Sequence, residues 1–416
     1  FHARKTLVAM AVGMSFVGSA IAQEEPKTIS LIKQPISLIK NKKDTIKKTT
    51  PKAVEPLLYS DIARVLNQLP GIFSINRLPN DQSPRISHHS DLLTHDVSLV
   101  SDNLNWNALP YYLSGRKDIT PLLFSNEYKL QSLDYAASPS STVSSIVGSR
   151  PQITDSANLA LTLGSLNQRG VVLEHGSDKA NFGHRLYINK RMQDSHRQFS
   201  DGEKGEFDAN EVMIKVHETS QVNNGKNNQT TQLMLHYKDY QNDESYIGIS
   251  GDDVSERPRH RYSATRGDYI SGDDLLLGIH HQTSLFAGEK ITTDIYYRRG
   301  DLKDYQTTGI GDLGINFVAP VLSIYEDNPL GNQTIKKELV ESSFVSTGFK
   351  MDVEQQRGAH QLNLGFSYQN EEIDQTVIVD NFLLNPDLLL TKQSIVDETQ
   401  RSEFEARINT FYLTDT

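Results

Sequence analysis

The stretch Gln361–Gln369 reads QLNLGFSYQ, with Leu362, Leu364, Phe366 and Tyr368 on one side of an extended chain and Gln361, Asn363, Gly365, Ser367 and Gln369 on the other. From about Asn158 onward the same two-residue period recurs. Leu159, Leu161 and Leu163 alternate with Ala160, Thr162 and Gly164; Val212, Ile214 and Val216 alternate with Glu211, Lys215 and His217. Leu233, Leu235 and Tyr237 oppose Gln232, His236 and Lys238, and Val345, Phe349, Met351 and Val353 oppose Ser346, Lys350 and Asp352. Ile291, Ile295 and Tyr297 oppose Asp294 and Arg298, and Phe404, Ala406, Ile408 and Tyr412 oppose Glu403, Glu405, Arg407 and Asn409. Ten strands follow, at roughly 159–165, 170–175, 184–190, 210–218, 230–239, 274–284, 290–299, 342–353, 360–369 and 402–414. Their polar faces carry full charges as well as Ser and Thr.

The connections separate a sandwich from a barrel. After strands two, six and eight they are short (176–183, 285–289 and 354–359), and after strand four the link is moderate. After strands five, seven and nine they are long (240–273, 300–341 and 370–401). Short turns at one end and long loops at the other is the layout of an outer-membrane barrel, whereas a Greek-key sandwich has no reason to sort its loops by parity. The apolar side of QLNLGFSYQ is therefore expected to meet lipid.

The start of the chain supports export. Arg4 and Lys5 precede an apolar run from Leu7 to Val17, and Ala20-Ile21-Ala22 before Gln23 has the form of a secretory cleavage site, so residues 1–22 read as a signal peptide. Residues 23–56 are polar and lysine-rich, a flexible leader in which ISLIK occurs twice, at Ile29–Lys33 and Ile36–Lys40. Such short apolar segments suit pairing with the edge of a partner's sheet, though a chance repeat in a linker reads the same way. From 57 to 153 the composition turns globular: Ser60-Asp61 caps an expected helix over 62–69, Pro70-Gly71 ends it, and 97–100 and 127–133 read as strands of an α+β unit. Residues 154–416 hold the barrel strands. The fold class is mainly β, an α+β plug followed by part of a large antiparallel transmembrane β-barrel.

Composition narrows the chemistry. There is no cysteine, so disulfides and thiol catalysis are excluded. A net charge of −10 on 416 residues gives no basis for nucleic-acid binding. No phosphate-cradling glycine loop, H-E-x-x-H or G-x-S-x-G stands out, and the chain reads as a non-enzyme without a resident cofactor. His88, His89 and His95 with Asp91 and Asp96 form a loose cluster whose spacing matches no tight metal motif. Arg257, Arg259, His260, Arg261 and Arg266 share one long connection. A focused positive patch there would concentrate an anionic ligand, and arginine forks hold carboxylates in bidentate fashion. An ordinary charged loop facing solvent or lipopolysaccharide phosphates is the alternative. Arg298 has lumen-facing parity, either lining the vestibule or paired with Asp294 or Asp301.

The order signal, leader, plug and barrel resembles the TonB-dependent outer-membrane receptors, most of all those of the ferric citrate type. DIARVLNQLPGI (Asp61–Ile72) is similar to the first plug helix of that family. GEFDANEVMIKV (Gly205–Val216) and DESYIGISGDDVSERPRHRYSATRGDY (Asp243–Tyr269) resemble its fourth barrel strand and the loop after the fifth. EKITTDIYYR (Glu289–Arg298) and HQLNLGFSYQNEEID (His360–Asp374) resemble later strands. The resemblance implies import of a ferric chelate into the periplasm, with the iron chelate as cargo, at the outer membrane of a Gram-negative bacterium. It implies TonB as the energy-transducing partner, touching Thr28, Ile29, Ser30, Leu31 and Ile32 as an added strand, and outer-membrane lipid and lipopolysaccharide as surroundings. The family's usual Leu-x-Asp-Gly-x-Pro turn is replaced by VSLVSDNLNWNALPYY (Val97–Tyr112), and its Arg-Gly-Pro and paired-glycine segment by LDYAASPSSTVSSIVG (Leu133–Gly148). Those turns are built differently here, which keeps open a second reading, a non-transporting surface binder or adhesin. A plugged transporter barrel has about 22 strands; ten strands and Phe1 at the start predict part of a longer reading frame.

Overall fold

A computed structural model of the chain describes residues 155–179, 181–222, 227–284, 289–393 and 398–415, together with six strands between 72 and 148. All of these belong to the second of the chain's two units, Thr50–Thr416. The expected signal peptide, the leader with Thr28–Ile32 and the helix over 62–69 lie outside the described residues.

The first sheet comprises β1 (Ile72–Ile75), β2 (Arg85–Ser90), β3 (Leu93–Ser101), β4 (Leu104–Asn105), β5 (Tyr128–Ser132) and β6 (Ser144–Gly148). Its order is β1-β2-β3-β6-β5 with β4 beside β3, and β3 runs parallel to β6 while the other pairs are antiparallel. The strands expected over 97–100 and 127–133 are present as β3 and β5. In register, His88 stands opposite His95 across β2 and β3.

The second sheet is an antiparallel meander of ten long strands: β7 (Ser156–Leu163), β8 (Arg169–Lys179), β9 (Phe182–Gln198), β10 (Lys204–Val222), β11 (Asn227–Asn242), β12 (Tyr269–Ser284), β13 (Glu289–Ile310), β15 (Gln333–Arg357), β16 (His360–Leu384) and β18 (Glu398–Asp415). The two-residue β14 (Leu313–Gly314) pairs with β13, and β17 (Leu390–Lys392) pairs with β16. Each expected strand has its counterpart, yet most run longer than their alternation suggested. Lys303 through Ile310 and Thr376 through Leu384 remain in register with β15, well beyond the strand ends that the alternation suggested. Past that level one face of the sheet packs against the folded connections instead of bounding a lumen, so the backbone ladder continues while the alternation that marks a strand in sequence fades.

The two faces of this sheet are inverted relative to a soluble protein. Leu161 is 73% exposed, Ile214 41%, Leu233 48% and Leu364 56%, whereas the intervening Lys215, His236, Asp294 and Arg298 are at most 4% exposed. In water such an arrangement would leave large apolar side chains hydrated and bury charges; it is favourable when the outer solvent is hydrocarbon. The last strand departs from expectation. Phe411 and Leu413 pair with Phe366 and Leu364 and share their exposed face, so Tyr412 points to the other side, its ring lying over Gly365. Phe404, Ala406 and Ile408 share Tyr412's parity, and Glu403, Glu405 and Arg407 fall on the outward face, opposite Asp374, Glu372 and Asn370. The expected parity is thus reversed, because this half of the strand lies above the apolar band, where the outward face is polar.

The long connections fold. Between β11 and β12 lie α1 (Gly251–Glu256) and a short 3-10 turn, Ser263–Thr265; between β14 and β15 lies α2 (Ile315–Asp327). Val318, Leu322 and Tyr325 fall on one face of α2 and pack with Ile247, Tyr262, Ala264, Ile310, Ile335 and Leu384 into one core. Pro320 within α2 obscures this helix in the sequence. Gly311 (φ 56°) and Gly331 (φ 70°) supply the left-handed turns that lead the chain into and out of the segment.

Candidate functional site

The folded connections are where the predicted ligand-facing residues lie. α1 begins at Ser250, whose hydroxyl accepts from the Asp253 amide at 3.2 Å. Asp253 is buried and in turn accepts from the Tyr262 hydroxyl (2.5 Å) and the Arg257 Nε (2.7 Å). Burial alone would raise its carboxyl, but hydrogen bonds from Tyr262, Arg257, Ser323 and Ser250 prevail and hold it at about 2. Arg257 reaches across to Asp327 at the end of α2 (3.1 Å). His260 Nε2 lies 2.6 Å from Glu326 Oε2, and the other Glu326 oxygen accepts from the Ser263 amide at 2.6 Å. Two adjacent acids of one connection therefore clamp the other.

A second cluster joins these connections to the strand ends. Lys337 and Asp268, both essentially without exposure, pair at 2.6 Å, and Lys337 also donates to the Arg266 carbonyl at 2.7 Å. Asp268 further accepts from the Ser245 hydroxyl (2.6 Å) and from the Thr307 amide and hydroxyl (3.1 and 2.9 Å). Burial pulls the Lys337 ammonium below its ordinary value, opposed by Asp268. Arg197 binds Glu244 (2.6 Å) and the carbonyls of Ser245 and Ile247.

The predicted positive patch is thereby largely taken up inside the protein. Arg261 is 3% exposed, donates to the carbonyls of Asp243, Thr265 and Asp268, and stacks 4.7 Å from the Phe199 ring centre. Arg266 lies 4.3 Å from the same ring and pairs with Asp201 (2.7 Å) and Glu203. Arg257 and His260 are engaged as above. Arg259 has its side chain on the surface. Arg298 is buried under the sheet's inward side, paired with Asp274 and stacked on Phe344. Residues four apart along a strand lie about 13 Å from each other and residues three apart face opposite ways, whereas a diagonal neighbour on the next strand is close.

Glu326, Asp327, Asp268 and Lys337 escaped the sequence reading. Each pairs with a partner 60 or more positions away, so nothing local marks it. Among the described residues no group of three or more His, Asp or Glu side chains could hold a metal ion, and no helix is long and apolar enough to cross a membrane, which says nothing of crossing by strands.

No family model matches the sequence, and no curated protein matches it. Solved structures do resemble it. The ferric citrate transporter FecA in unliganded form matches with TM-score 0.56 at 13% identity over 85% of this chain and 50% of that one. The siderophore receptor PiuA from Acinetobacter baumannii matches with TM-score 0.57 at 14% identity, over 85% and 52%. The pyoverdine outer membrane receptor FpvA from Pseudomonas aeruginosa PAO1, bound to pyoverdine, matches with TM-score 0.57 at 12% identity, over 85% and 51%. The chain spans about half the length of each of these proteins. A meander with its apolar side outward and its charges inward, together with this likeness, gives the chain the fold of the TonB-dependent receptors of the Gram-negative outer membrane.

Proposed function

We propose that the protein acts in the outer membrane as a TonB-dependent receptor that imports a ferric chelate, siderophore or citrate-like, into the periplasm. The observation that carries this reading is the inverted sheet, whose apolar exposed face and charged buried face fit a lipid-embedded wall around a polar lumen. The folded connections at one end of that wall suit a ligand platform. On this reading Arg259 is the cation presented to an anionic chelate, while Arg257, His260, Arg261 and Arg266 hold the platform in shape, and Arg298 sets the electrostatics of the vestibule. Energy reaches the protein through TonB pairing with Thr28–Ile32. The chelate is cargo, and no resident cofactor enters the cycle.

The test uses the complete gene in an outer-membrane host lacking its own ferric citrate receptor, following labelled iron with several chelates, with and without TonB. Uptake that disappears without TonB is expected, with Arg259→Ala weakening it for anionic chelates. Absence of uptake by a protein shown to be inserted and folded would overturn the transport reading. A non-transporting surface binder is the second reading. It is favoured by the internal pairing of the arginine cluster, which fixes the surface rather than leaving loops to close on a ligand.

A further inference from the structure

The exposed face of the long sheet is not uniformly smooth. Leu235, Leu277 and Tyr297 stand side by side on β11, β12 and β13, and Leu233, Ile279 and Ile295 form the next outward row. Between the two rows runs the backbone of Met234, Gly278, Tyr296 and Gly348, whose side-chain positions face the opposite side of the sheet. The result is a furrow of about 660 Å³ that continues from β10 to β16. Two rows of branched and aromatic side chains wall it, and glycine at 278 and 348 leaves the floor one backbone thick. No charged side chain lines it. The Tyr296 ring closes the other side of the sheet over Gly348.

We propose that this furrow retains one fatty acyl chain of a membrane lipid. Its volume falls within the roughly 300–1,000 Å³ of small-molecule sites. Six adjacent strands at about 4.8 Å spacing make it roughly 24 Å long, enough for an acyl chain, which reaches across about half of the ~30 Å hydrocarbon layer. The furrow is continuous with the apolar band on both sides, so lipid is the solvent already at its mouth. Tyr297 stands at its rim on the side of the long connections, where aromatic residues meet headgroups, and Tyr368 closes the end of the other row beside Phe349. A chain lying along two walls and a floor makes more contacts than one lying against a single row, and this difference sets a retained lipid apart from its exchanging neighbours.

The inference rests on the reading of the band as membrane-facing, and the test separates the two. In the full chain carrying Trp106→Phe, a single reporter tryptophan is placed in the furrow (Leu277→Trp or Ile279→Trp) or elsewhere on the band (Leu173→Trp). Each protein is titrated with phosphatidylcholine bearing brominated acyl chains in mixed micelles. The furrow reporters are expected to reach half-quenching at a mole fraction at least fivefold lower than the Leu173→Trp reporter. Equal midpoints would overturn the furrow as a lipid site while leaving the band in lipid, and no quenching at any position would overturn the membrane reading itself. Because a tryptophan could fill the furrow, the unsubstituted chain is also examined by native mass spectrometry. One lipid mass retained per chain supports the proposal, and none retained overturns it. Furrow reporters shielded from the brominated chains in a protein that sediments as a dimer would assign the furrow to a second copy and equally overturn it.

Discussion

The lipid-facing band and the folded connections belong to one sheet, yet they are built on opposite rules. In the band, Leu161, Leu233 and Leu364 are exposed while Lys215, His236 and Arg298 are buried. In the connections, Ala264, Val318 and Leu322 have no exposure, and Ile324 on the far side of α2 is an ordinary surface residue at 72%. The comparison teaches that the solvent outside, not the strand itself, decides which face is apolar. The same ladder crosses from one solvent to the other near Tyr368 and Asn370, where outward residues change from Leu364 and Phe366 to Glu372 and Asp374.

The comparison can be broken hardest where charge is buried in the connections. Lys337→Ala leaves Asp268 without its cation, and removing one partner of a buried pair costs about 3–5 kcal/mol; hydrogen exchange at the amides of 263–268 and 307 is expected to quicken accordingly while strands at the band level stay protected. Lys337→Met, which keeps the packing against Tyr305 and Phe382, is expected to lose nearly as much, because the uncompensated Asp268 carboxylate remains. Next comes a direct exchange of rules. Leu277→Arg on the band is expected to cost about 2–4 kcal/mol in lipid, read as a lowered midpoint of urea unfolding. Ile324→Arg, more exposed but in water, should fall within about 0.5 kcal/mol. Equal costs would mean that the two surfaces face the same solvent.

Acid should act on the connections first. The Asp253 carboxyl is held at about 2, below its ordinary value, so the stability it contributes is present above that ordinary value and is lost as pH falls through the folded one. Protease cleavage between 250 and 266 is expected to rise between about pH 4 and pH 2, and Asp253→Asn should abolish that dependence. The smallest effect belongs to Arg266→Ala, whose partners Asp201 and Glu203 are more than half exposed, and about 0.2–1 kcal/mol is expected.

Much of the sheet was legible in the sequence because, at the band level, each residue's face is dictated by a solvent boundary that imposes a strict period of two. QLNLGFSYQ shows this directly: Leu364 and Tyr368 are exposed and Gln369 is buried, as the alternation requires. Above the band the rule lapses. The reading consequently ended β13 and β16 too soon and assigned the wrong face to Phe404, Ala406, Ile408 and Tyr412. The candidate site was less legible still. The sequence placed Arg257, His260, Arg261 and Arg266 in one connection and left open whether they face a ligand, but the partners Glu326, Asp327 and Glu203 arrive from distant segments, and Asp243 from the opposite end of the same connection.

By itself, then, the sequence determined that ten strands form, which way their side chains point at the band and which ends carry long connections, because local periodicity and turn length answer to the nearest solvent. Only the tertiary structure decided that the long connections share one hydrophobic core, that Arg257, Arg261 and Arg266 find partners within the protein, and that two outward rows enclose a furrow. Those outcomes depend on which segments far apart in sequence come to stand side by side, and no local pattern encodes that.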